Sequence, residues 1–375
     1  MYQMHKIKET IKNITEIDTR LMDSAQERLN NLTKPRGSLG RLEELARLIV
    51  GITGEVEPEF KNKVIFTLAA DHGVTEEGVS AYPKEVTAQM VYNFLNQGAG
   101  INVLAKHVGA RVVVIDMGVA EKIKNPRLPA GGQEKSNFKD KKINYGTKNM
   151  AKGPAMTRLE AIKSIETGII VFEDEFSRNN GIPPKAGKKG IDIIGIGEMG
   201  IGNTTAASAI TVCFTKRRAE EVTGRGTGLD DQGLKNKIRV IKKSISVNKP
   251  KPSDPIDVLS KVGGFEIGGL AGIILAAAAK RIPIVLDGFI STAAALIAFY
   301  LEPKTKDYMI AAHRSVERGH RVILEHLGLR PLLDLNLRLG EGTGAALGIA
   351  TVEASIKILT QMATFKSAHV SEGKK

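Results

Sequence analysis

The feature that most constrains the fold is an alternation of short apolar runs with longer helical stretches, beginning near residue 64. Runs rich in β-branched residues predict buried strands at residues 64–70, 111–116, 168–172, 191–197, 282–288 and 308–313. The stretches that are long and periodic enough for helices are residues 84–97, 156–166, 203–214, 268–280 and 315–327. This alternation predicts an α/β fold with a mainly parallel sheet and helices on both faces.

Both ends of the chain carry helical patterns. Apolar residues recur at helical spacing from Ile7 to Leu29, a further helix follows Ser38, and residues 344–363 form another. We expect residues 1–55 to supply one part of a small helical domain and residues 331–375 to complete it. Residues 56–330 would then form the large α/β domain. The basic runs near 121–148 and 177–190 lack a usable period and predict loops.

The cysteine content and the hydropathy of the chain indicate the cellular compartment of the protein. Cys213, the one cysteine, excludes an internal disulfide and lies in an apolar run, so we expect it in the core. The first residues include Lys and Glu where a signal peptide needs an apolar block, and no segment reaches the ~18 uncharged residues of a membrane span. We therefore predict a cytoplasmic protein without membrane contact, in which residues 268–279 form a buried helix.

The formal net charge of +13 indicates a surface that attracts anions. Aromatic residues are only 5% of the chain and Trp is absent, so the basic runs lack the side chains on which nucleic-acid bases stack. A solvated surface is the first interpretation, phosphorylated small molecules come second, and nucleic acid comes third. We predict no nucleic-acid partner.

Polar clusters follow five of the predicted strands. Because ligands bind beyond the carboxyl ends of parallel strands, these clusters predict one shared site, although each could also be a turn. A turn is the preferred interpretation for the second cluster and largely for the first. The clusters are "DHG" (71–73), "DMG" (116–118), "GIGEMGIGNTT" (195–205), "DGF" (287–289) and "HRS" (313–315).

Two glycine-rich loops suggest ligand contacts. "GIGEMG" matches a dinucleotide-binding pattern, but Glu198 would repel a pyrophosphate there, so we favour hydrogen bonds from Glu198 and Asn203 to a ligand. A tight turn explains this loop equally well. "GRGTG" (224–228) precedes a helix and can form an anion site for a monophosphate. Arg225 and Lys237 favour an anion, whereas the following aspartates oppose it unless they cap the helix.

The sequence motifs give little support for a metal site or for a catalytic nucleophile. The seven histidines form no H-E-x-x-H pattern, no C-x-x-C pair exists, and no G-x-S-x-G elbow occurs. His72 and His313 could touch a substrate or be held by backbone hydrogen bonds. In "LRLGEGTGAALG", Glu341 could cap a helix or face a cleft as a base.

Taken together, the motifs resemble the nicotinate-nucleotide–dimethylbenzimidazole phosphoribosyltransferase family over roughly residues 30–355. They occur in the family's order as "LTKPRGSLGRLE", "AADHGVTEEGVSAYPKEVTAQM", "GEMGIGNTTAASA", "GRGTGLDD", "VGGFEIGGLAG", "VLDGFISTAAAL" and "RLGEGTGAALG". The resemblance implies a homodimer with a Rossmann-like domain, and no metal or cofactor. It also implies transfer of phosphoribose from nicotinate mononucleotide to 5,6-dimethylbenzimidazole or a related base, which yields α-ribazole 5′-phosphate and nicotinate in cobalamin assembly.

The same resemblance implies roles for individual residues. Glu341 would be the general base, with Glu198 in the same site as a hydrogen-bonding residue or a competitor for that role. The phosphate would be held by Gly226, Thr227, Gly228, Lys237 and Ser315, while Asp287 would face the groove. The slot for the incoming base would be lined by Pro83, Gln89, Met90, Met199 and Leu339. Further substrate contacts would come from Gly200, Asn203 and Gly342.

Alternatives and departures accompany this hypothesis. A non-catalytic protein that binds a nucleotide or α-ribazole could use the same cleft, but it would not need two carboxylates there. Arg36 stands where the family motif leads us to expect proline or a neutral residue, and both basic runs are longer than expected. These departures lie outside the motif residues of the site.

Overall fold

The structure, a computed structural model, describes residues 4–124, 137–178 and 190–371. Within these ranges six parallel strands form one sheet in the order β3-β2-β1-β4-β5-β6. They are β1 (Lys63–Ala70), β2 (Ala110–Gly118), β3 (Phe138–Asp140), β4 (Ile193–Met199), β5 (Ile284–Leu286) and β6 (Met309–Ala311). This is the strand order of a Rossmann fold, so the predicted fold class is confirmed.

The helices surround this sheet. The first seven are α1 (His5–Lys12), α2 (Thr19–Asn30), α3 (Arg41–Thr53), α4 (Val86–Leu95), α5 (Gly100–His107), α6 (Arg158–Phe176) and α7 (Asn203–Thr215). The others in the described ranges are α8 (Ala219–Val222), α9 (Asp231–Asn248), α10 (Pro255–Val262), α11 (Phe265–Ala279), α12 (Phe289–Leu301), α13 (Arg318–Leu327) and α14 (Thr343–Gln361). All five helices predicted between the strands are confirmed.

Both faces of the sheet are covered, as the apolar strands require. Alternate residues of β1 enter different cores: Phe66 and Leu68 pack in one with α6, α11 and α12. Ile65 and Ala69 pack in the other with α4, α5 and α14. A strand with apolar residues on both sides is typical of a parallel sheet between two helical layers. The buried helix predicted at 268–279 is confirmed as α11.

The terminal helices separate into two groups. α2, α3 and α14 share a small core made by Ala25, Leu29, Ala46, Val50 and Leu359. In contrast, α1 packs against α6 and α11, where Ile7 is fully buried in the large core. The division at residues 55 and 330 stays a prediction.

The strand predicted at 168–172 is wrong, because these residues lie within α6. Thr157 and Glu160 form a capping box that begins the helix, which continues to Phe176. Gly168 packs so closely on α11 that a Cβ there would lie 1.9 Å from the carbonyl oxygen of Gly269. A short apolar run suits a buried helix as well as a strand, so its pattern could not distinguish them.

Two further expectations need correction. Part of the basic run at 121–148 forms strand β3 rather than a loop, while residues 125–136 and 179–189 lie outside the described residues. Helix α3 begins at Arg41 with Gly40 as its N-cap, whereas we expected the helix to start at Ser38. Among the described helices, none has a stretch sufficiently long and apolar to cross a bilayer.

Candidate active site

A cavity of about 440 Å³ opens beyond the carboxyl ends of β4, β5 and β6. The strand order reverses between β1 and β4, and ligands of open α/β sheets bind at this position. The size is that of a pocket for a small molecule. It is lined by Tyr82, Val86, Met90, Glu198, Met199, Gly200, Ile201, Asn203, Thr204, Gly226, Thr227, Gly288, Phe289, Ile290, His313, Ser315, Glu317, Arg338, Leu339, Gly340 and Glu341.

Glu341 lies in the cavity wall on a turn with an unusual backbone. Gly340, Glu341 and Gly342 have φ angles of 84°, 65° and 99°, a left-handed conformation that residues with side chains rarely adopt. The Glu341 carboxylate accepts a hydrogen bond of 3.1 Å from the backbone N–H of Ile101, in the first turn of α5. Glu341 is therefore held at the N-terminus of a different helix from the one it precedes.

Opposing effects determine the pKa of Glu341. Burial raises the pKa, the Ile101 N–H lowers it, and the negative charge of Asp287 raises it further, so that the pKa lies above its usual value. The positive end of α5 still favours the ionised carboxylate. A carboxylate with a moderately raised pKa is suited to removing a proton from a ligand.

Glu198 lies near the end of strand β4 and faces the same cavity. Its carboxylate accepts a hydrogen bond from the side-chain amide of Asn203. Burial raises the pKa of Glu198 well above its usual value, and the negative charges of Glu266 and Asp287 add to this effect. The Glu198 backbone carbonyl also accepts a hydrogen bond of 3.2 Å from the N–H of Glu341, which fixes the two residues relative to each other.

His72 lies outside the cavity wall and contacts another buried residue. Its Nε2 is 2.7 Å from Oε1 of Glu266, and both side chains are almost completely buried. Burial lowers the pKa of His72, but the carboxylate of Glu266 outweighs burial, so the pKa is raised. The pair is therefore a buried contact between two titratable side chains.

Asp287 caps α14 rather than lining the cavity. Its carboxylate accepts hydrogen bonds of 3.0 Å from the N–H of Gly342 and 2.7 Å from that of Gly344. His313, which does line the cavity, has its Nε2 3.7 Å from the same carboxylate. The helix cap that was one interpretation of Glu341 is thus supplied by Asp287.

The glycine-rich loop at 224–228 borders the cavity through Gly226 and Thr227. The Thr227 hydroxyl accepts a hydrogen bond of 2.9 Å from the Ala81 N–H and lies 3.1 Å from the Ser80 hydroxyl. This contact joins the loop to the segment that precedes α4. Asp230 caps α9 by accepting a bond of 2.7 Å from the Gly233 N–H, as the helix-cap interpretation required.

Lys237 lies one layer behind this loop. The side chain is completely buried, and its Nζ donates a hydrogen bond of 2.7 Å to the hydroxyl of Thr204, which lines the cavity. Burial lowers the pKa of Lys237 to about 8, although the nearby carboxylate of Glu317 opposes the shift. In this structure Lys237 therefore reaches the cavity wall through its hydrogen bond to Thr204.

The predicted base slot is only partly assembled by the structure. Met90, Met199 and Leu339 line the cavity together with Tyr82 and Val86, which gives an apolar wall. Of the other predicted site residues, Gly200, Asn203 and Ser315 also line it. The predicted residues outside the wall are Pro83, Gln89, Gly228, Lys237, Asp287 and Gly342.

Comparisons with known proteins identify the family. A family model described as phosphoribosyltransferase matches residues 14–370. The nicotinate-nucleotide–dimethylbenzimidazole phosphoribosyltransferase of Desulforudis audaxviator is 56% identical over 371 residues, which is 99% of both chains. The enzyme of the same name from Geobacter sulfurreducens is 54% identical over 371 residues, again 99% of both. The chain belongs to this phosphoribosyltransferase family.

Solved structures of the family show the same fold. The phosphoribosyltransferase of the same name from Thermus thermophilus has a TM-score of 0.84 at 40% identity, covering 95% of this chain and 100% of that one. The structure of CobT from Thermus thermophilus has a TM-score of 0.85 at 42% identity, covering 94% and 100%. The family predicted from the ordered motifs is confirmed, and the chain is a pentosyltransferase.

Sequence reasoning missed several residues of the phosphoribosyltransferase cavity. Glu317 is buried in the wall, and its Oε1 accepts a hydrogen bond of 2.9 Å from the N–H of Gly226. Arg338 and Tyr82 also line the cavity. Tyr82 and Arg338 lie inside motifs that predicted the site, and Glu317 lies two residues after such a motif. The spacing of residues in these motifs did not show which side chains face the cavity.

In the described ranges, no three His, Cys, Asp or Glu residues are grouped to hold a metal ion.

Proposed function

We propose that this enzyme transfers the phosphoribosyl group of nicotinate mononucleotide to 5,6-dimethylbenzimidazole or a related base. The products are α-ribazole 5′-phosphate and nicotinate, for the nucleotide loop of cobalamin. The observation that carries the proposal is the placement of Glu341 in the cavity wall, held by the N-terminus of α5. The names of the full-length relatives support the choice of substrates.

The reaction requires one proton acceptor. One ring nitrogen of the benzimidazole attacks the anomeric carbon, and the bond from that carbon to the nicotinate nitrogen breaks, with its electron pair passing to nicotinate. The attack inverts the configuration from β to α. The second ring nitrogen of the benzimidazole then carries an N–H proton that Glu341 accepts. Nicotinate leaves without needing a proton, because it departs from a positively charged pyridinium.

The environments of the two glutamates support a division of their roles. A base must be ionised before it acts, and the Ile101 N–H favours the ionised form of Glu341. The Asn203 amide favours ionised Glu198 too, but burial and neighbouring carboxylates outweigh it and raise the pKa well above the usual value. We therefore assign the base to Glu341, and assign to Glu198 a hydrogen bond with a substrate atom.

The cavity wall has features that fit both substrates. The apolar side chains of Tyr82, Val86 and Met90 suit an aromatic base, while Thr227 of the glycine-rich loop and Ser315 are polar residues of the same wall. Apolar contacts discriminate methyl-sized differences by only about 1–3 kcal/mol. A screen of benzimidazole, dimethylbenzimidazole, adenine and phenol would define the preferred base.

The test of the proposal is nicotinate release from nicotinate mononucleotide and 5,6-dimethylbenzimidazole by the purified protein. Glu341→Gln should lower kcat by about 10²- to 10⁴-fold, since general-base catalysis is worth about that much. Circular dichroism and thermal unfolding should show that the variant is folded. Wild-type turnover in the variant would remove Glu341 from the base role. Tight binding of the nucleotide without any product would instead indicate a binding protein.

We also propose that the enzyme is a homodimer. Four large apolar side chains that line the cavity or lie within three residues of its wall along the chain are more than half exposed. An exposed apolar patch is typical of a protein–protein interface. They are Tyr82 (56%), Val316 (53%), Leu335 (53%) and Leu339 (61%). A second copy that covers this surface would also help to exclude water from the reaction.

A further inference from the structure

Two sequence motifs carry buried titratable residues that the proposed reaction does not use. They are His72 in "AADHG" and Glu266 in "VGGFEIGG", which contact each other over 2.7 Å between Nε2 and Oε1. Both side chains are almost completely buried, and neither residue lines the cavity. A buried pair of this kind is often no more stabilising than apolar residues of the same volume, so stability alone does not account for it.

The ring of His72 lies against the turn that joins β4 to α7. A Cβ at Gly200 would lie 3.3 Å from Cδ2 and 3.4 Å from Nε2 of the ring, so the edge that carries Nε2 contacts this turn. A Cβ at Gly202 would lie 3.4 Å from the Cβ of His72. Gly200 itself lines the cavity. His72 therefore supports part of the cavity wall without being part of it.

The same turn positions the polar partner of Glu198. The N–H of Asn203 donates a hydrogen bond of 3.0 Å to the carbonyl of Gly200, while the Asn203 side-chain amide donates to the Glu198 carboxylate. A displacement of Gly200 would therefore move this amide relative to Glu198. Glu266 is also near Glu198, because its charge adds to the effect of burial in raising the pKa of Glu198.

Glu266 is held at the beginning of α11. It lies in the first turn of this helix, where the helix N-terminus favours a carboxylate. A Cβ at Gly264 would lie 2.4 Å from Cε1 of His72 and 2.5 Å from Oε2 of Glu266, so the pair closely surrounds the N-cap of α11. Within the described part of the chain, Oε2 of Glu266 has no hydrogen-bond partner. The contact between Oε1 and His72 therefore orients the ring relative to α11.

On these grounds, and resting on the proposed function, we propose that His72 and Glu266 are positioning residues for Glu198. Glu266 holds the ring of His72, and the ring supports the turn at Gly200. This turn places the Asn203 amide on the Glu198 carboxylate. The hydrogen bond between the two positioning residues, rather than the charge of Glu266, is what this role requires.

The experiment measures kcat for nicotinate release in two variants of Glu266. Glu266→Met replaces the carboxylate by an apolar chain of similar length, so the ring loses its hydrogen bond and the turn can shift. We expect kcat to fall about 10- to 100-fold, because a displacement of about 1 Å near the reacting groups costs up to about that much. Glu266→Gln removes the charge but keeps an oxygen to which His72 can donate, so kcat should stay close to the wild-type value. An equal loss in both variants would overturn the positioning role in favour of the charge.

A double-mutant cycle distinguishes positioning of Glu198 from general support of the fold. In the Glu198→Ala background, Glu266→Met should lower kcat by a much smaller factor than in the wild type, because the residue through which it acts is missing. The same factor in both backgrounds would overturn the proposal. Wild-type kcat in Glu198→Ala would overturn it too, since no residue would then need to be positioned.

Glu175→Met is the matched control. Glu175 is an equally buried carboxylate, and it pairs over 2.6 Å with Arg111 at the amino end of β2, opposite the cavity. The folded fraction of each variant is measured by circular dichroism, and kcat per folded Glu175→Met should equal that of the wild type. A loss as large as that in Glu266→Met would overturn the proposal.

The second partner provides a test that does not depend on the folding of Glu266→Met. Glutamine at position 72 can place its amide where Nε2 of the histidine lies, whereas the shorter asparagine cannot reach Glu266. His72→Gln should therefore retain more of the wild-type kcat than His72→Asn, and the reverse order would contradict the proposal. Wild-type nicotinate release, measured first, tests the proposed function separately.

Discussion

Glu341 must be ionised to accept a proton, and its pKa is raised mainly by burial. We therefore expect kcat/KM to fall as the pH is lowered through this raised pKa, because the protonated carboxyl cannot act as a base. Initial rates of nicotinate release between about pH 5 and pH 9 would show this acidic limb. In Glu341→Gln the residual rate should lack it. If the limb persists unchanged, another group, with Glu198 as the first candidate, is the base.

The raised pKa of Glu198 predicts how the stability of the folded protein depends on pH. Its pKa is raised in the folded protein, so the folded state binds this proton more tightly than the unfolded chain does. The stability that this group contributes is therefore present at acidic pH and is lost as pH rises through the raised pKa. Glu198→Gln removes the titration and keeps an acceptor for Asn203, so it should stabilise the protein relative to the wild type at alkaline pH.

Thermal unfolding of both proteins at several pH values would measure this difference. The advantage of the Gln variant should grow with pH, and a difference that does not depend on pH would contradict the raised pKa of Glu198. Activity should fall less in Glu198→Gln than in Glu198→Ala, because the amide can still donate a hydrogen bond. The opposite order would show that the negative charge of Glu198 is required.

At the scale of elements, the position of Glu341 depends on how closely β4 approaches the turn before α14. A Cβ at Gly197 would lie 2.1 Å from the N of Gly342 and 2.4 Å from the carbonyl oxygen of Glu341. Gly197→Ala should therefore destabilise the protein by about 3 kcal/mol and displace the Glu341 carboxylate. Chemical denaturation and nicotinate release would measure the two effects.

Gly153→Ala is the control for this substitution. A Cβ at Gly153 would meet no atom within 4 Å, so its effect should stay within about 0.5 kcal/mol. Full activity of Gly197→Ala at wild-type stability would mean that the turn can shift without moving the carboxylate.

Where a prediction from the sequence failed, the local residue pattern is compatible with either a helix or a strand. Residues 168–172 are β-branched and apolar, but the cap at Thr157 and the packing of Gly168 on Gly269 make them part of α6. Helix α14 was predicted, yet its cap at Asp287 comes from a residue 55 positions before Gly342 in the chain. Such contacts between distant residues leave no periodicity in a sequence.

At the scale of the whole molecule, the proposed homodimer predicts a solution mass of twice 40.4 kDa by light scattering. Replacing both Val316 and Leu335 by Asp should shift the protein toward a monomer, because charges do not tolerate burial in an apolar interface. Val247→Asp on α9 is the control, since Val247 is also half exposed (50%) but lies away from the cavity wall. A monomeric wild-type protein at micromolar concentration would contradict the proposal.

The sequence by itself determined the α/β class, the parallel sheet, the family, and the loops that form the site. These follow from patterns that are local along the chain: apolar runs, helical periods, and ordered motifs such as "GEMGIGNTT" and "RLGEGTG". Only the tertiary structure decided which side chains of these loops face the cavity. It placed Asp287 at a helix cap, put Lys237 behind Thr204, and brought Arg338 and Glu317 to the wall. The physical reason is that side-chain direction and burial depend on packing between elements distant in sequence, which a local pattern does not record.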